Sequence, residues 1–165
     1  MPRTGLRPPL NSSIVGQLAV MADSDDYEDP ELEARWLAEQ RGNVQRYLQE
    51  QGVHHRGVSS GAVWFVAPYI SVWTVGSVAA PGAIGWWAIS GDLPTDYLSG
   101  QGATDARSAL AAFSRRWRDV AAYMLRGETH PTIAVGSPED TYELGDLLQR
   151  RARILDDWAG DDEIW

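Results

Sequence analysis

Apolar residues between Pro30 and Gly52 recur every three or four positions, at Leu32, Trp36, Leu37, Val44, Tyr47 and Leu48, which is the spacing of one helix face. Asp29 stands at the N-cap position, Pro30 suits the first turn, and Glu31 and Glu33 lie at the positive end of the dipole. Gly52 supplies the stop. Gly42, inside the helix, costs about 1 kcal/mol against Ala and marks the place where a local irregularity is expected. A second helix is predicted over Asp105–Arg126, with Ala106, Leu110, Phe113, Trp117, Val120, Ala121 and Met124 on its apolar stripe and Gly127 as its terminator. Arg115, Arg116 and Arg118 fall off that stripe, as a solvated face requires. The third helix opens at Ser137-Pro138-Glu139-Asp140, a cap followed by an N1 proline and two acids. Leu144, Leu147, Leu148, Arg151, Leu155 and Trp158 line its inner face.

The middle of the chain has a different rhythm. Gly57 to Gly91 contains no charged residue, yet Pro68, Gly76, Pro81, Gly82 and Gly85 interrupt it, so it does not read as a membrane span. Val, Ile, Thr and aromatic residues dominate between the breaks, which favours strands. Ala62–Val66 and Tyr69–Val75 read as one long strand or two joined at Pro68, with Pro68 at a bulge or a sheet edge. A turn around Ala80-Pro81-Gly82 leads into a strand over Ile84–Ser90, and Thr132–Val135 reads as a short edge strand. Neither face of Val63–Val66 or of Ile84–Ile89 is polar, so helices should cover both sides of the sheet. The fold class is therefore α+β, a small antiparallel sheet with three amphipathic helices packed around it.

The densest stretch is Pro81–Tyr97, read as a tight turn, a buried strand and a stiff loop over Gly91–Tyr97 that holds two carboxylates. Trp86 and Trp87 are adjacent on the strand and should face opposite sides of the sheet. Asp92 and Asp96 flank Pro94 just beyond the strand end, where a pair of carboxylates can divide acid and base roles. Candidate site residues are thus Asp92, Asp96 and Tyr97, a rim from Trp86 or Trp87, and Arg107 as an ion-pair partner for Asp96. Turn chemistry is the competing account, because Asp92 can bond loop N–H groups and Asp96 can cap a turn, and it explains both residues without a substrate. His54 and His55 are adjacent and point different ways, and His130 is remote, so no metal site is assigned. Ser59-Ser60-Gly61 and Ser90-Gly91 lack the Gly-x-Ser-x-Gly of a nucleophile elbow. Gly82-Ala83-Ile84-Gly85 precedes a strand and not a helix, so it is not a phosphate loop. No cofactor is implied.

Composition narrows the function classes. A net charge of −9 over 165 residues argues against a nucleic-acid binder, which needs a basic face, and suits a protein partner with a basic surface. The absence of Cys removes disulfides and thiolate chemistry. Eight tryptophans imply a heavily anchored core or an exposed aromatic patch. Residues 1–28 read as an unstructured extension. Its Arg3, Arg7 and the run Ile14–Ala22 mimic a secretory signal, but Gly16 and Gln17 interrupt that run, and Met21 is an alternative start. The domain proper is expected over residues 29–160, with 161–165 an acidic tail that is either loose or docked through Trp165.

The segments Val66-Ala67-Pro68-Tyr69, Pro81-Gly82 with Gly85-Trp86-Trp87, Gly91-Asp92-Leu93-Pro94-Thr95-Asp96-Tyr97 and Arg151-Ala152 together resemble a small bacterial family, domain of unknown function 4826, over Glu33–Trp158. The resemblance implies a stand-alone bacterial protein and brings no activity or catalytic residue. The expected function is an acidic, tryptophan-rich, cytoplasmic binding module, immunity-like or regulatory, that masks a basic partner. The alternative is a small enzyme or ligand-binding protein built on the Asp92/Asp96 loop. Exposed tryptophan beside an acidic patch would favour the first, and a concavity ending at Asp92 the second. Oligomeric state is left open.

Overall fold

The computed structural model describes residues 25–133 and 141–165. A 3-10 turn at Asp25–Glu28 precedes helix α1 (Pro30–Glu50), then strands β1 (Trp64–Val66), β2 (Ile70–Gly76), β3 (Ile84–Gly91) and β4 (Leu93–Ser99). A 3-10 turn at Gly100–Gly102 leads to helix α2 (Ala106–Leu125), and helix α3 (Thr141–Gly160) is followed by a last 3-10 turn at Asp162–Ile164. The four strands form one antiparallel sheet in the order β1-β2-β3-β4, so the fold is α+β. The chain divides into two compact units, one running through Ala106 and including Ile164, the other Arg107–Glu163 with Trp165.

In the first unit, α1 is bounded as its sequence dictates. Asp29 Oδ1 accepts from Glu31 N at 2.9 Å. At the other end Gly52 takes φ +68, with Gly52 N donating to Gln49 O and Val53 N to Leu48 O, the two bonds of a Schellman stop. The helix runs unbroken through Gly42, where an irregularity was expected. Its buried line is Trp36, Gln40, Val44 and Leu48, one residue per turn, while Leu32 and Tyr47 are half-buried. Val44 and Leu48 are wholly buried in a cluster with Val58, Trp73, Val75 and Ala88, each such aliphatic side chain contributing about 1.5–3 kcal/mol. Trp36 packs beside it with Phe65 and Ala67, and meets the Tyr27 ring edge-on.

The sheet resolves one open expectation and departs from another. The run Ala62–Val75 is two strands, because Ala67-Pro68-Tyr69 forms a turn, closed by Tyr69 N on Val66 O at 2.8 Å, with a cis Ala67–Pro68 bond. Pro68 thus joins the edge strand β1 to β2, where its missing donor does no harm. The departure is the stretch Gly91–Tyr97, read as a loop: apart from Asp92 it is strand, and β4 returns along β3 with Leu93 opposite Gly91 and Tyr97 opposite Ala88. A two-strand return needs only one residue that tolerates positive φ, and Gly91 at φ +149 provides it. A Cβ there would lie 2.2 Å from Tyr69 O, so no other residue fits. Central strands are buried on both faces, as their unbroken apolar runs require: Ile70–Trp73 and Trp87–Ser90 are all 2% exposed or less.

In the second unit α2 and α3 run antiparallel, with Arg107 meeting Ala159 and Ser114 Oγ donating to Ala152 O at 2.7 Å. A Cβ on Gly145 would stand 2.8 Å from Met124 Cβ, which shows how closely the helices approach at their far end. Every residue of the predicted α2 stripe is buried, and Arg115 and Arg118 are exposed, Arg118 paired with Asp156. On α3 the buried residues are Leu148, Arg151, Ala152, Leu155 and Trp158, with Leu144 and Leu147 half-buried. The capping segment Ser137–Asp140 lies outside the described residues. So does half of the expected strand Thr132–Val135, whose Thr132 and Ile133 are not strand. His130 closes the end of α2: Nδ1 accepts from Thr132 N and Ile133 N, and Nε2 meets Asp119 at 2.8 Å. At the chain end the docked alternative holds for Trp165, whose Nε1 donates to Trp158 O at 2.9 Å, while Asp161 Oδ1 accepts from Glu163 N.

Candidate functional site

The β3–β4 return decides what the two carboxylates can do. Asp92 occupies the exposed turn, its backbone N–H bound to Tyr69 O at 2.8 Å. Asp96 lies in the middle of β4 opposite Ile89, only 1% exposed, with Oδ1 accepting from Tyr97 N at 2.8 Å. They stand four positions apart along an extended segment, about 13 Å of rise, too far for two carboxylates to share a proton or a substrate atom. The geometry favours a turn residue and a buried structural carboxylate.

Strand alternation distributes the other candidates. Trp86 and Tyr97 point to the α1 face, where both pack on the cluster around Val44 and Trp73, and Tyr97 meets Tyr47 edge-on at 6.0 Å. Trp87 and Asp96 point to the opposite face, Trp87 only 2% exposed and donating from Nε1 to Ala103 O at 3.1 Å. The opposed orientation of Trp86 and Trp87 is as expected. Arg107, proposed as a partner for Asp96, belongs to the second unit and spends its guanidinium on Ala159 O at 2.7 Å and Asp162 Oδ1 at 2.6 Å.

Two features were not singled out from sequence. The first is a buried polar network under α1: Ser90 Oγ donates to Gln40 Oε1 at 2.8 Å, Ser71 Oγ donates to Ser90 O, and Trp73 Nε1 donates to Ser71 Oγ. Thr95 Oγ1 stands 3.2 Å from Ser90 Oγ. Every one of these hydroxyls is engaged, so the network reads as architecture. Its one sequence signal is Gln40, a polar residue at the i, i+4 spacing of Trp36 and Val44.

The second feature is a hollow of about 260 Å³ at the end of the sheet remote from Asp92. Ala83 and Ile84 supply its apolar wall, and Arg56, Ser59 and Ser77 its polar rim. Its shape comes from three backbone events. Arg56–Val58 pairs along the outer edge of β2, through Arg56 N on Gly76 O, Gly76 N on Gly57 O and the Val58–Val75 bridge. The β2–β3 register slips between Val75 and Gly76. Gly85 then lets the return strand approach closely, since a Cβ there would lie 2.9 Å from Ser77 Cα. Ser59 Oγ and Ser77 Oγ accept from Thr74 N and Ala80 N, which leaves both hydroxyl protons available to donate. Beside the hollow the hairpin tip Val78–Ile84 is exposed, Val78 by 50% and Ile84 by 43%. The signal for it in the sequence is the longest charge-free run in the chain, broken by Pro81-Gly82.

Among the described residues no group of three or more His, Asp or Glu side chains is arranged to hold a metal ion, and no helix is long and apolar enough to cross a membrane.

A four-stranded antiparallel meander with one long helix against it, and two further long helices after it in sequence, places the chain in the α+β class. Within that class the chain belongs to the family described as Domain of unknown function (DUF4826), whose model matches residues 30–165. No curated protein and no solved structure matches it.

Proposed function

We propose that this protein is a binding module that docks a partner protein of basic surface through the end of its β2–β3 hairpin, in an immunity-like or regulatory role. The observation that carries the reading is the pairing of exposed Val78 and Ile84 with an apolar-walled hollow, in a stretch without charge on a chain of net charge −9. Apolar side chains held out on a rigid hairpin are suited to a partner that covers them. The net charge of −9 supports steering of a basic partner. Trp36, Trp64, Trp73, Trp87, Trp117 and Trp158 are buried, Trp86 is half-buried and Trp165 is exposed at the chain end, so the anchors at the hairpin end are aliphatic. The distance between Asp92 and Asp96 weighs against the enzymatic alternative.

A photo-cross-linking residue at Val78, with a control at the exposed Tyr142, tests this in the native host. One discrete adduct with a basic protein is expected from position 78, weakened by Ile84→Asp and absent from position 142. No adduct from position 78, or the same adducts from both positions, would overturn the reading.

A further inference from the structure

We infer that the hollow at the hairpin end binds a carboxylate carried on a compact apolar group, either the C-terminal residue of a partner chain or a free small acid. The inference rests on the hairpin end being the docking region and names what enters it. Arg56 is exposed, and among the described residues its guanidinium makes no hydrogen bond or ion pair. It shares the rim with the two serine hydroxyls whose protons are free to donate, Ser59 and Ser77, and no acidic residue lines the hollow. Three donor groups with no carboxylate among them select an anionic acceptor, and a guanidinium fork matches the two oxygens of a carboxylate. Below the rim, Ala83 and Ile84 select an apolar body. At about 260 Å³ the space falls short of the roughly 300–1,000 Å³ of sites for drug-sized ligands, and accommodates one branched side chain. A chain terminus combines both features, a carboxylate on the same residue as a side chain.

The test uses the full chain, ¹⁵N-labelled, titrated with N-acetyl-L-leucine, N-acetyl-L-leucinamide and isovalerate. N-acetyl-L-leucine is expected to shift the amide resonances of Gly76, Ser77 and Ala83, with the uncharged amide binding about tenfold more weakly, since it lacks the charge-assisted contact. Arg56→Gln is expected to fold normally and to bind acid and amide alike. Isovalerate binding as well as the acetylated amino acid identifies a free acid as the source; binding by the acetylated amino acid alone identifies a chain terminus. Equal binding of acid and amide to the parent, shifts that map elsewhere, or no shifts up to about 10 mM would overturn the inference. The Val78 cross-link separates the two readings. If it persists while the probes miss the hollow, only the carboxylate inference fails; if it is lost while the probes bind, only the protein-docking reading fails.

Discussion

Gln40 Oε1 accepts a 2.8 Å hydrogen bond from Ser90 Oγ, tying the middle of α1 to β3 across 50 residues of chain. Both groups are buried, Gln40 at 5% and Ser90 at 1% exposure, and the Trp73–Ser71–Ser90 bonds continue the chain of donors beneath them. A polar pair among Val44, Leu48 and Trp73 sets the rotation of α1 on the sheet, because any other rotation buries an unpaired amide.

Ser90→Ala is therefore expected to cost about 1 kcal/mol, since it removes the shorter bond to Gln40 Oε1 and leaves the 3.3 Å bond from Asn43 Nδ2. Combined with Gln40→Leu, which removes that acceptor, the loss should be smaller than the two single losses added together. Urea titrations of the three variants measure it, and strict additivity would show that the pair is not coupled.

Trp86 and Trp87 should respond unequally. Trp87 is buried and hydrogen-bonded, so Trp87→Ala is expected to cost about 3–5 kcal/mol. Trp86 is half-buried on the α1 face and should cost less than half of that, about 1–2 kcal/mol. Equal losses in guanidinium melts would contradict the orientation of β3.

The two carboxylates should also separate. Asp92→Ala, at an exposed turn, should change stability by less than about 0.5 kcal/mol. Asp96→Ala removes the acceptor for Tyr97 N inside β4 and should cost about 1–3 kcal/mol. Thermal melts with divalent cations should show no stabilisation that either substitution abolishes. A cation-dependent rise in Tm of the parent, lost in both variants, would restore a joint role for the pair.

Two glycines with positive φ make a sharp comparison. Gly82, at φ +84, has open space around it, so Gly82→Ala should cost about 1–2 kcal/mol of backbone strain alone. Gly91→Ala adds a collision with Tyr69 O and should cost more than about 3 kcal/mol, since strain of about 1–3 kcal/mol is only part of its burden. Comparable unfolding midpoints for the two variants would mean that the β3–β4 turn opens to admit a side chain.

Much of this protein was determined locally. Asp29, Pro30 and Gly52 delimit α1, and the stripe from Ala106 to Met124 runs along the whole of α2, because caps and helical periodicity act over a few residues. The charge-free run with its glycines and prolines likewise specified strands buried on both faces. What tertiary structure alone decided is how strands return on one another. Leu93-Pro94-Thr95-Asp96-Tyr97 carries the signals of a loop, and it is a strand because β3 offers it an open edge and Gly91 turns the chain tightly enough to reach that edge. Pairing across an edge is a long-range event that no local propensity encodes. For the same reason Asp96 went from a loop carboxylate to a buried one, Arg107 found Asp162 and Ala159, and Gln40 acquired Ser90. The hollow beside Arg56 arises likewise, from a register slip at Val75/Gly76 and an edge segment laid against β2, neither of which has a sequence signature apart from the glycines that permit it.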